Sequence, residues 1–425
     1  METPNANRRI ARMGVHPPET GAVSTDGSGP INGATVSMTH LVSARLFFYL
    51  YQQVSHAESM KIQSIASDLF YIPLPEVLTD STHGVMEHFA LVTVRIRDNQ
   101  GLEGLGYTYT VGKTGGAAIL SMLEYDIKRL LLGEDPNEID RIFDKLWWAL
   151  HYVGRGGIAS FAISAVDIAL WDLKSKRANQ PLWKFLGGVD DQVKAYAGGI
   201  DLQLPIDRLE AQTQENLDRG FRAIKMKVGR DKLEEDVKRV AAMRDFLGPD
   251  LPLMVDANMR WSVNQATEAA KAFADYNIYW LEEPVIPEDF QGHRRVLAEG
   301  GIPIASGENL HTIYEFEKLI TAGGVSYPEP DVANVGGITI WRKVAQMAEQ
   351  AGLPVTSHGV HDLHVHLLAA APNASFLEAH GFGLERFLEY PLQIEEGFAT
   401  APSRTGHGVC LDWDALEHHR GPNLN

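Results

Sequence analysis

A (β/α)8-type, TIM-like barrel behind an N-terminal α+β capping domain is the fold class the sequence predicts, and three observations carry it. Downstream of residue 189, short apolar strand-like runs alternate with amphipathic helical patterns such as PIDRLEAQTQENLDRG and DKLEEDVKRVAAMRDFLG. Alternation of that kind implies parallel strands joined by crossover helices. About eight such runs are present, near 193, 223, 252, 279, 303, 326, 354 and 375. Polar residues stand at or near the ends of most of them: Lys225, Lys227, Asp256, Glu282, Glu308, Asp331, His358 and Glu378. From Lys227 onward the gaps are 29, 26, 26, 23, 27 and 20 residues, the pitch of a strand–helix repeat. The strand ends of such a barrel converge on its C-terminal face, so the ladder is expected to line one pocket.

In chain order, residues 1–59 differ from the rest. Residues 1–40 are rich in Gly, Pro, Ser, Thr and Asn without an apolar period, which reads as disorder. The following LVSARLFFYLYQQV is interrupted by Arg45, is too short to span a membrane, and begins too far in for a signal peptide. Regular patterning starts at Met60, so we expect Met60 to be the native start and the leader to be an artefact of gene assignment. An N-terminal read of the natively expressed protein with the leader intact would overturn that. Residues 60–188 are expected to form the cap. FALVTVRIRD alternates and NQG is a turn signal, giving an antiparallel meander over 60–110. AAILSMLEYDIKRLLLG, EIDRIFDKLWWALHY and IASFAISAVDIALWDLKSKR then carry helical periodicity, the last with small residues for close packing. The barrel is assigned to 189–390, and residues 391–425 to a return segment that packs back on the cap.

Composition narrows the function classes. With 425 residues, 44% hydrophobic and 22% charged, the chain is ordinary for a soluble globular protein with room for a barrel and an added domain. A net charge of −17 argues against nucleic acid as a partner, though a buried cation can still recruit an anionic substrate. Cys410 is the only cysteine, which excludes an intrachain disulfide and a thiolate zinc cluster and fits a reduced, cytoplasmic location with no membrane partner.

The ladder suggests its own chemistry. Asp256, Glu282 and Glu308 belong to consecutive strands and can point at one spot. Three hard oxygen donors with the remaining positions left to water or substrate describe a Mg²⁺ site. Taken singly, each acid is as easily a solvated or helix-capping carboxylate; three in register are not. Lys225 and Lys227 are two apart and project to one face. Crowding by Lys225 would lower the pKa of Lys227 and make it a general base. Asp331 ends the strand before the one that precedes His358, so its carboxylate can orient the imidazole and raise its basicity. His361 is expected to enter the pocket from a βα loop as a specificity candidate, whereas His364 and His366, two apart in the next helix, cannot share a face. A carboxylate chelated between Lys227 and His358 would have its α-proton acidified, since the ion stabilises the enolate charge. Glu378, if protonated, would add a hydrogen bond to that oxygen. One base on each face allows racemisation or elimination.

At this point the sequence resembles the enolase superfamily, mandelate racemase subgroup. The matching pieces are KMK at 225–227, VDAN at 255–258, WLEEP at 280–284, GEN at 307–309, PDVANVGGIT at 330–339, SHG at 357–359 and FLE at 376–378. With the preceding domain they cover residues 60 to about 415. The resemblance implies Asp256, Glu282 and Glu308 as Mg²⁺ ligands, Lys227 as one base with Lys225 as its electrostatic partner, Asp331 and His358 as a second dyad, and Glu378 as the group that holds the enolate. It also implies a homo-oligomer, octamer or dimer, and a cap that selects substrate with two mobile loops, here EVLTDSTHG and GYTYTVGKTGG. His83, Tyr107, Tyr109, Lys113 and Asn258 are the side chains that would meet substrate. Segments such as HYVGRGGIASFA and GGIDLQ are similar to the sugar-acid cycloisomerases and dehydratases of the subgroup. The implied reaction is therefore removal of the α-proton of a small hydroxy-carboxylate, followed by β-elimination to a 2-keto-3-deoxy acid. A mandelate-type racemase is the alternative enzyme, and a non-catalytic homologue is disfavoured because every position of the constellation is filled. One departure concerns the substrate: after the catalytic histidine, the cycloisomerases and mandelate racemases carry Gln–Glu, whereas this chain has His361 and Asp362.

Overall fold

A computed structural model describes residues 59–380 and 382–422; the readings made for residues 1–58 lie outside the described residues. The alternating run FALVTVRIRD lies in β2 (Gly84–Asp98), paired antiparallel between β1 (Ile62–Asp80) and β3 (Glu103–Val111). Helix α1 (Gly116–Ser121) passes through a π-helical stretch (Met122–Ile127) into α2 (Lys128–Leu131), and α3 (Ile139–Ala149) and α4 (Ile158–Arg177) follow. The small residues of α4 let it lie directly on β3. A Cβ at Gly104 would fall 2.1 Å from Ala169 O, and one at Gly106 would fall 2.0 Å from Ala165 O, so only glycine permits this approach. Asp172 locks the contact, accepting from Leu105 N at 2.8 Å and from His407 N at 3.0 Å.

After α5 (Leu182–Phe185) the chain enters the barrel at β4 (Gln192–Gly198). The strands β5 (Ile224–Lys227), β6 (Leu253–Asp256), β7 (Ile278–Glu282), β8 (Ile304–Ser306) and β9 (Tyr327–Pro328) follow in parallel, each bonded to the next. Between them run α6 (Ile206–Asp218), α7 (Leu233–Leu247), α8 (Val263–Phe273), α9 (Phe290–Gly300) and α10 (Ile313–Ala322). Two further helices, α11 (Gly337–Gln350) and α12 (His361–Ala370), precede β10 (Leu377–Ala379), which pairs parallel with β4 and closes the ring. The run near 354 is reduced to one parallel bridge, Val355 to Ala374. Pro354 offers no N–H to a longer ladder. The gap is still spanned by Thr356 N on Pro328 O at 3.0 Å and Ser375 N on Val355 O at 2.8 Å.

Register positions the ladder. Lys227 stands beside Asp256 and Asp256 beside Glu282, so three rungs sit at one height on the C-terminal edge. The C-terminal segment runs back along β1, where Tyr71 N donates to His419 O at 2.8 Å and Gly421 N to Leu69 O at 2.7 Å. Among the described residues no helix is long and apolar enough to cross a membrane.

Candidate active site

The eight ladder residues meet at the C-terminal mouth of the barrel. Asp256 and Glu282 end β6 and β7, and Glu308 lies just past β8; each offers a carboxylate oxygen within 4.8 Å of the others. All three are buried. Glu308 is the least satisfied, taking a 3.3 Å hydrogen bond from Asn309 Nδ2 on Oε1 while its buried Oε2 accepts none. A trio of hard oxygens, one of them without a hydrogen bond, fits a small divalent cation such as Mg²⁺. Trp280, inside the barrel on β7, steadies the set by donating from Nε1 to Glu282 Oε2 at 3.0 Å.

The cations interleave with the acids. Lys225 and Lys227 lie on the same face of β5. The Lys225 ammonium is held between Glu282 and Glu378 Oε1, the latter at 2.7 Å, and the Lys227 ammonium donates to Asp256. Across the mouth, His358 places Nδ1 3.0 Å from Asp331 Oδ2 and Nε2 3.3 Å from Glu308 Oε2. Lys227 and His358 thus flank one carboxylate cluster. Glu378 Oε2 accepts from Gly359 N at 2.8 Å, tying β10 to the loop that carries His358.

Charge states follow from these contacts. Burial disfavours the His358 imidazolium, but Glu308, the Asp331 hydrogen bond and Glu378 more than reverse this, pushing its pKa up to about 10. Burial and the neighbouring acids push Glu282 up to about 8, with Lys225 only partly opposing them. One expectation needs correction here, and one condition is not met. Burial and Lys225 do press the Lys227 pKa down, as the KMK spacing suggested, but Asp256 and the other acids outweigh them and hold it above the ordinary lysine value. Glu378 can donate a hydrogen bond to the enolate oxygen only when it carries a proton. Burial favours that, yet Lys225 and His358 prevail and keep its carboxyl well below the usual range.

The substrate-contact candidates divide. In the β1–β2 hairpin His83 pairs with Asp80 at 2.7 Å, and that bond outweighs burial to raise the imidazole pKa while Asp80 sits at about 2. The hairpin rests on the barrel: Ser81 Oγ donates to Ala257 O at 2.7 Å, and Thr82 Oγ1 donates to Asn258 O. Asn258 itself is buried with Oδ1 unpartnered, two residues beyond Asp256, whose Oδ1 accepts its N–H at 2.8 Å. Three other candidates are not brought to the cluster. Lys113 is exposed, its ammonium 5.2 Å above the Tyr71 ring, where solvent and the aromatic face hold it. Tyr107 is fully buried and lines a small cavity of ~20 Å³ with Ile72, Phe89, Leu91, Tyr109 and Asp362, its hydroxyl without a partner. His361 does not enter from a loop: it opens α12, buried, with Nε2 3.5 Å from Asp362 Oδ2.

His364 and His366 do face different ways. His364 Nε2 accepts from Val332 N at 3.0 Å, beneath the Asp331 loop, whereas His366 meets Trp183 N and His407 O. Sequence reasoning missed Asp80 and also His380, which β10 carries into reach of Glu378, Lys227 and His358 and which burial drives down to about 3. No spacing in the sequence marks either.

A capped barrel with three converging carboxylates between a strand-borne lysine and a histidine–aspartate pair defines the enolase superfamily, and the chain belongs to its mandelate racemase and muconate lactonizing enzyme family. Residues 74–187 match the family profile described as "Mandelate racemase / muconate lactonizing enzyme, N-terminal domain", and residues 208–415 match "Enolase C-terminal domain-like". Among its relatives is 3,6-anhydro-alpha-L-galactonate cycloisomerase of Streptomyces coelicolor, 55% identical over 355 residues, covering 84% of this chain and 98% of the relative. L-talarate/galactarate dehydratase of Salmonella typhimurium is 36% identical over 362 residues, covering 84% and 90%. A crystal structure of a racemase from Streptomyces coelicolor with bound magnesium superposes with a TM-score of 0.83 at 53% identity, covering 85% of this chain and 100% of that one.

Proposed function

We propose that this chain is a Mg²⁺-dependent enzyme that removes the α-proton of a sugar-acid carboxylate and completes a β-elimination to a 2-keto-3-deoxy acid, with 3,6-anhydro-L-galactonate as substrate. The observation that carries the reading is the pair Lys227 and His358 on either side of one carboxylate trio, His358 Nε2 standing 3.3 Å from Glu308. In this reading Asp256, Glu282 and Glu308 hold the ion, which on binding would draw electron density from the substrate carboxylate and acidify the adjacent C–H. With Asp256 and Glu308 engaged as metal ligands and no longer holding their protons in place, either Lys227 or His358 takes the α-proton, as the configuration at that carbon dictates. The electron pair left behind forms the C=C bond, the β-carbon–oxygen bond breaks, the flanking group opposite gives a proton to the departing oxygen, and the resulting enol ketonises, losing its O–H proton as C-3 takes one up, to give the 2-keto-3-deoxy acid. When that oxygen belongs to a ring ether it stays attached and the product is an isomer; when it is a hydroxyl, water is lost. Lys225 supports the developing negative charge from its place between Glu282 and Glu378. The polar hairpin tip Asp80-Ser81-Thr82-His83 suits a hydroxylated substrate better than an aromatic one. Residues 60–188 act in this scheme as the cap and 189–390 as the catalytic barrel.

Support for the substrate comes from the cycloisomerase at 55% identity. Proton NMR in D₂O with Mg²⁺ and a panel of 3,6-anhydro-L-galactonate, galactarate, talarate, other aldonates and mandelate tests it. The expected result is conversion of the anhydro acid to a 2-keto-3-deoxy product. Conversion of galactarate or talarate alone would make the chain a dehydratase, and loss of an α-proton signal without a new product would make it a racemase. Silence across the panel with Mg²⁺ bound would sink the reading. We further place the enzyme in the cytoplasm, consistent with its single cysteine, and, from its family resemblance, as a homo-oligomer, dimer or octamer. Light scattering that returned a monomer mass would refute the assembly, and cell fractionation checks the compartment.

A further inference from the structure

The β1–β2 hairpin of the cap rests on the barrel, but one cap side chain goes further and bonds the His358 dyad itself. Tyr109, on β3, donates its hydroxyl to Asp331 Oδ2 at 2.6 Å and lies 3.2 Å from His358 Nδ1. Asp331 Oδ2 therefore receives both the tyrosine hydroxyl and the imidazole, while Oδ1 accepts from Ala333 N at 2.7 Å. The surroundings are shaped for this approach. Gly359, next to His358, has φ +58°, and a Cβ there would stand 2.5 Å from the Tyr109 hydroxyl and 2.8 Å from Phe382 Cε2. The Phe382 ring packs 4.7 Å from Tyr109 and 6.0 Å from His358. Strand pairing fixes Tyr109 opposite Leu91, and its neighbour Thr108 ties β3 to the Asp331 loop through Oγ1 on Ala333 O at 2.6 Å. Burial and Asp331 raise the phenol pKa well above 10.0, so the group remains a donor at any working pH.

We propose that Tyr109 is a positioning residue for one base only: by anchoring Asp331 it keeps the His358 Nδ1–H on the carboxylate and Nε2 turned toward substrate. This rests on the two-base reading above. Lys227 has no such anchor among the described contacts; its ammonium bonds Asp256 within the barrel. The β1–β2 hairpin meets the lysine side only through the backbone oxygens of Ala257 and Asn258, so among the described residues Tyr109 is the cap side chain that bonds a base dyad, and its coupling is to the histidine face.

The test separates the faces. The two C-2 epimers of a 3-deoxyaldonate have no β-oxygen to expel, so in D₂O with Mg²⁺ the reaction stops at α-proton exchange, read by proton NMR. Each epimer is assigned to a face by which of Lys227→Ala and His358→Ala silences it. Tyr109→Phe is expected to slow exchange of the His358-facing epimer about tenfold or more while leaving the Lys227-facing epimer within about threefold of wild type. Thr108→Val, which removes the neighbouring cap-to-barrel bond without touching the dyad, is expected to leave the ratio of the two rates at its wild-type value. Equal slowing of both epimers by Tyr109→Phe, or no slowing of either, overturns the inference while leaving the two-base reading standing. Wild-type protein that exchanges neither epimer overturns the two-base reading and this inference with it.

Discussion

Lys227→Ala is expected to cut kcat/KM by about 10²–10⁴-fold, the range that a positioned general acid or base supplies, with His358→Ala in the same range. Both side chains also hold charge beside buried acids, so loss of activity alone would not separate proton transfer from electrostatics. Lys227→Arg makes the distinction. A guanidinium keeps the positive charge next to Asp256 but does not give up a proton in a protein. If Lys227 works as a base, the arginine variant is as inactive as the alanine one. If it serves only to balance Asp256, the arginine variant recovers much of the wild-type rate. Steady-state kinetics on the substrate found by NMR, at saturating Mg²⁺ and with thermal unfolding as a folding control, decides between them. Full activity in Lys227→Ala or His358→Ala would remove that residue from the mechanism. The raised pKa of Lys227 is part of this argument: Asp256 holds the ammonium now, so a working base requires that Asp256 be engaged elsewhere, as a metal ligand would be.

That dependence shows where sequence reading reached its limit. The barrel was legible because its chemistry stands at strand ends, and the distance from one strand end to the next is set by the length of a strand plus a helix. Asp256, Glu282 and Glu308 could be assigned to one site without coordinates, since neighbouring parallel strands leave their ends little freedom. The run at 354 was readable as a strand by composition, yet Pro354 limits it to a single bridge. Residues from the cap were harder. Tyr107 and Tyr109 are two apart and face the same way, so the pattern treats them alike. Only docking onto the barrel separates the one that reaches Asp331 from the one sealed behind it. His361 looked free to enter the pocket because the start of α12 was not marked by any capping residue; Val360 precedes it with φ 26° and no side-chain cap. Protonation states were the least legible of all. The spacing of Lys225 and Lys227 was visible, but the carboxylate that reverses its effect lies 29 residues away.

Glu308→Gln should abolish the response to Mg²⁺ and lower turnover by about 10³-fold, which corresponds to about 4 kcal/mol of transition-state stabilisation. Of the three acids it is the most informative to change. Asp256 and Glu282 bond Lys227 and Lys225, so neutralising either strands a buried ammonium and confounds metal loss with damage to the fold. Glu308 pairs with neither lysine; its contacts are Asn309 Nδ2 at 3.3 Å and His358 Nε2 at 3.3 Å. Glutamine keeps the shape and an acceptor oxygen while removing one formal charge from a trio that a divalent ion would neutralise. Metal binding has a readout that needs no substrate, because an ion that binds only the folded chain stabilises it, by about 2.7 kcal/mol at a hundredfold excess over Kd. Wild-type protein is thus expected to melt higher as Mg²⁺ is added, and Glu308→Gln to start near the wild-type metal-free melting temperature and stay there. An upward shift in the variant equal to that of wild type would mean that Glu308 is not a ligand. Mg²⁺-independent melting of the wild type, together with activity in a chelator, would remove the metal from the mechanism altogether.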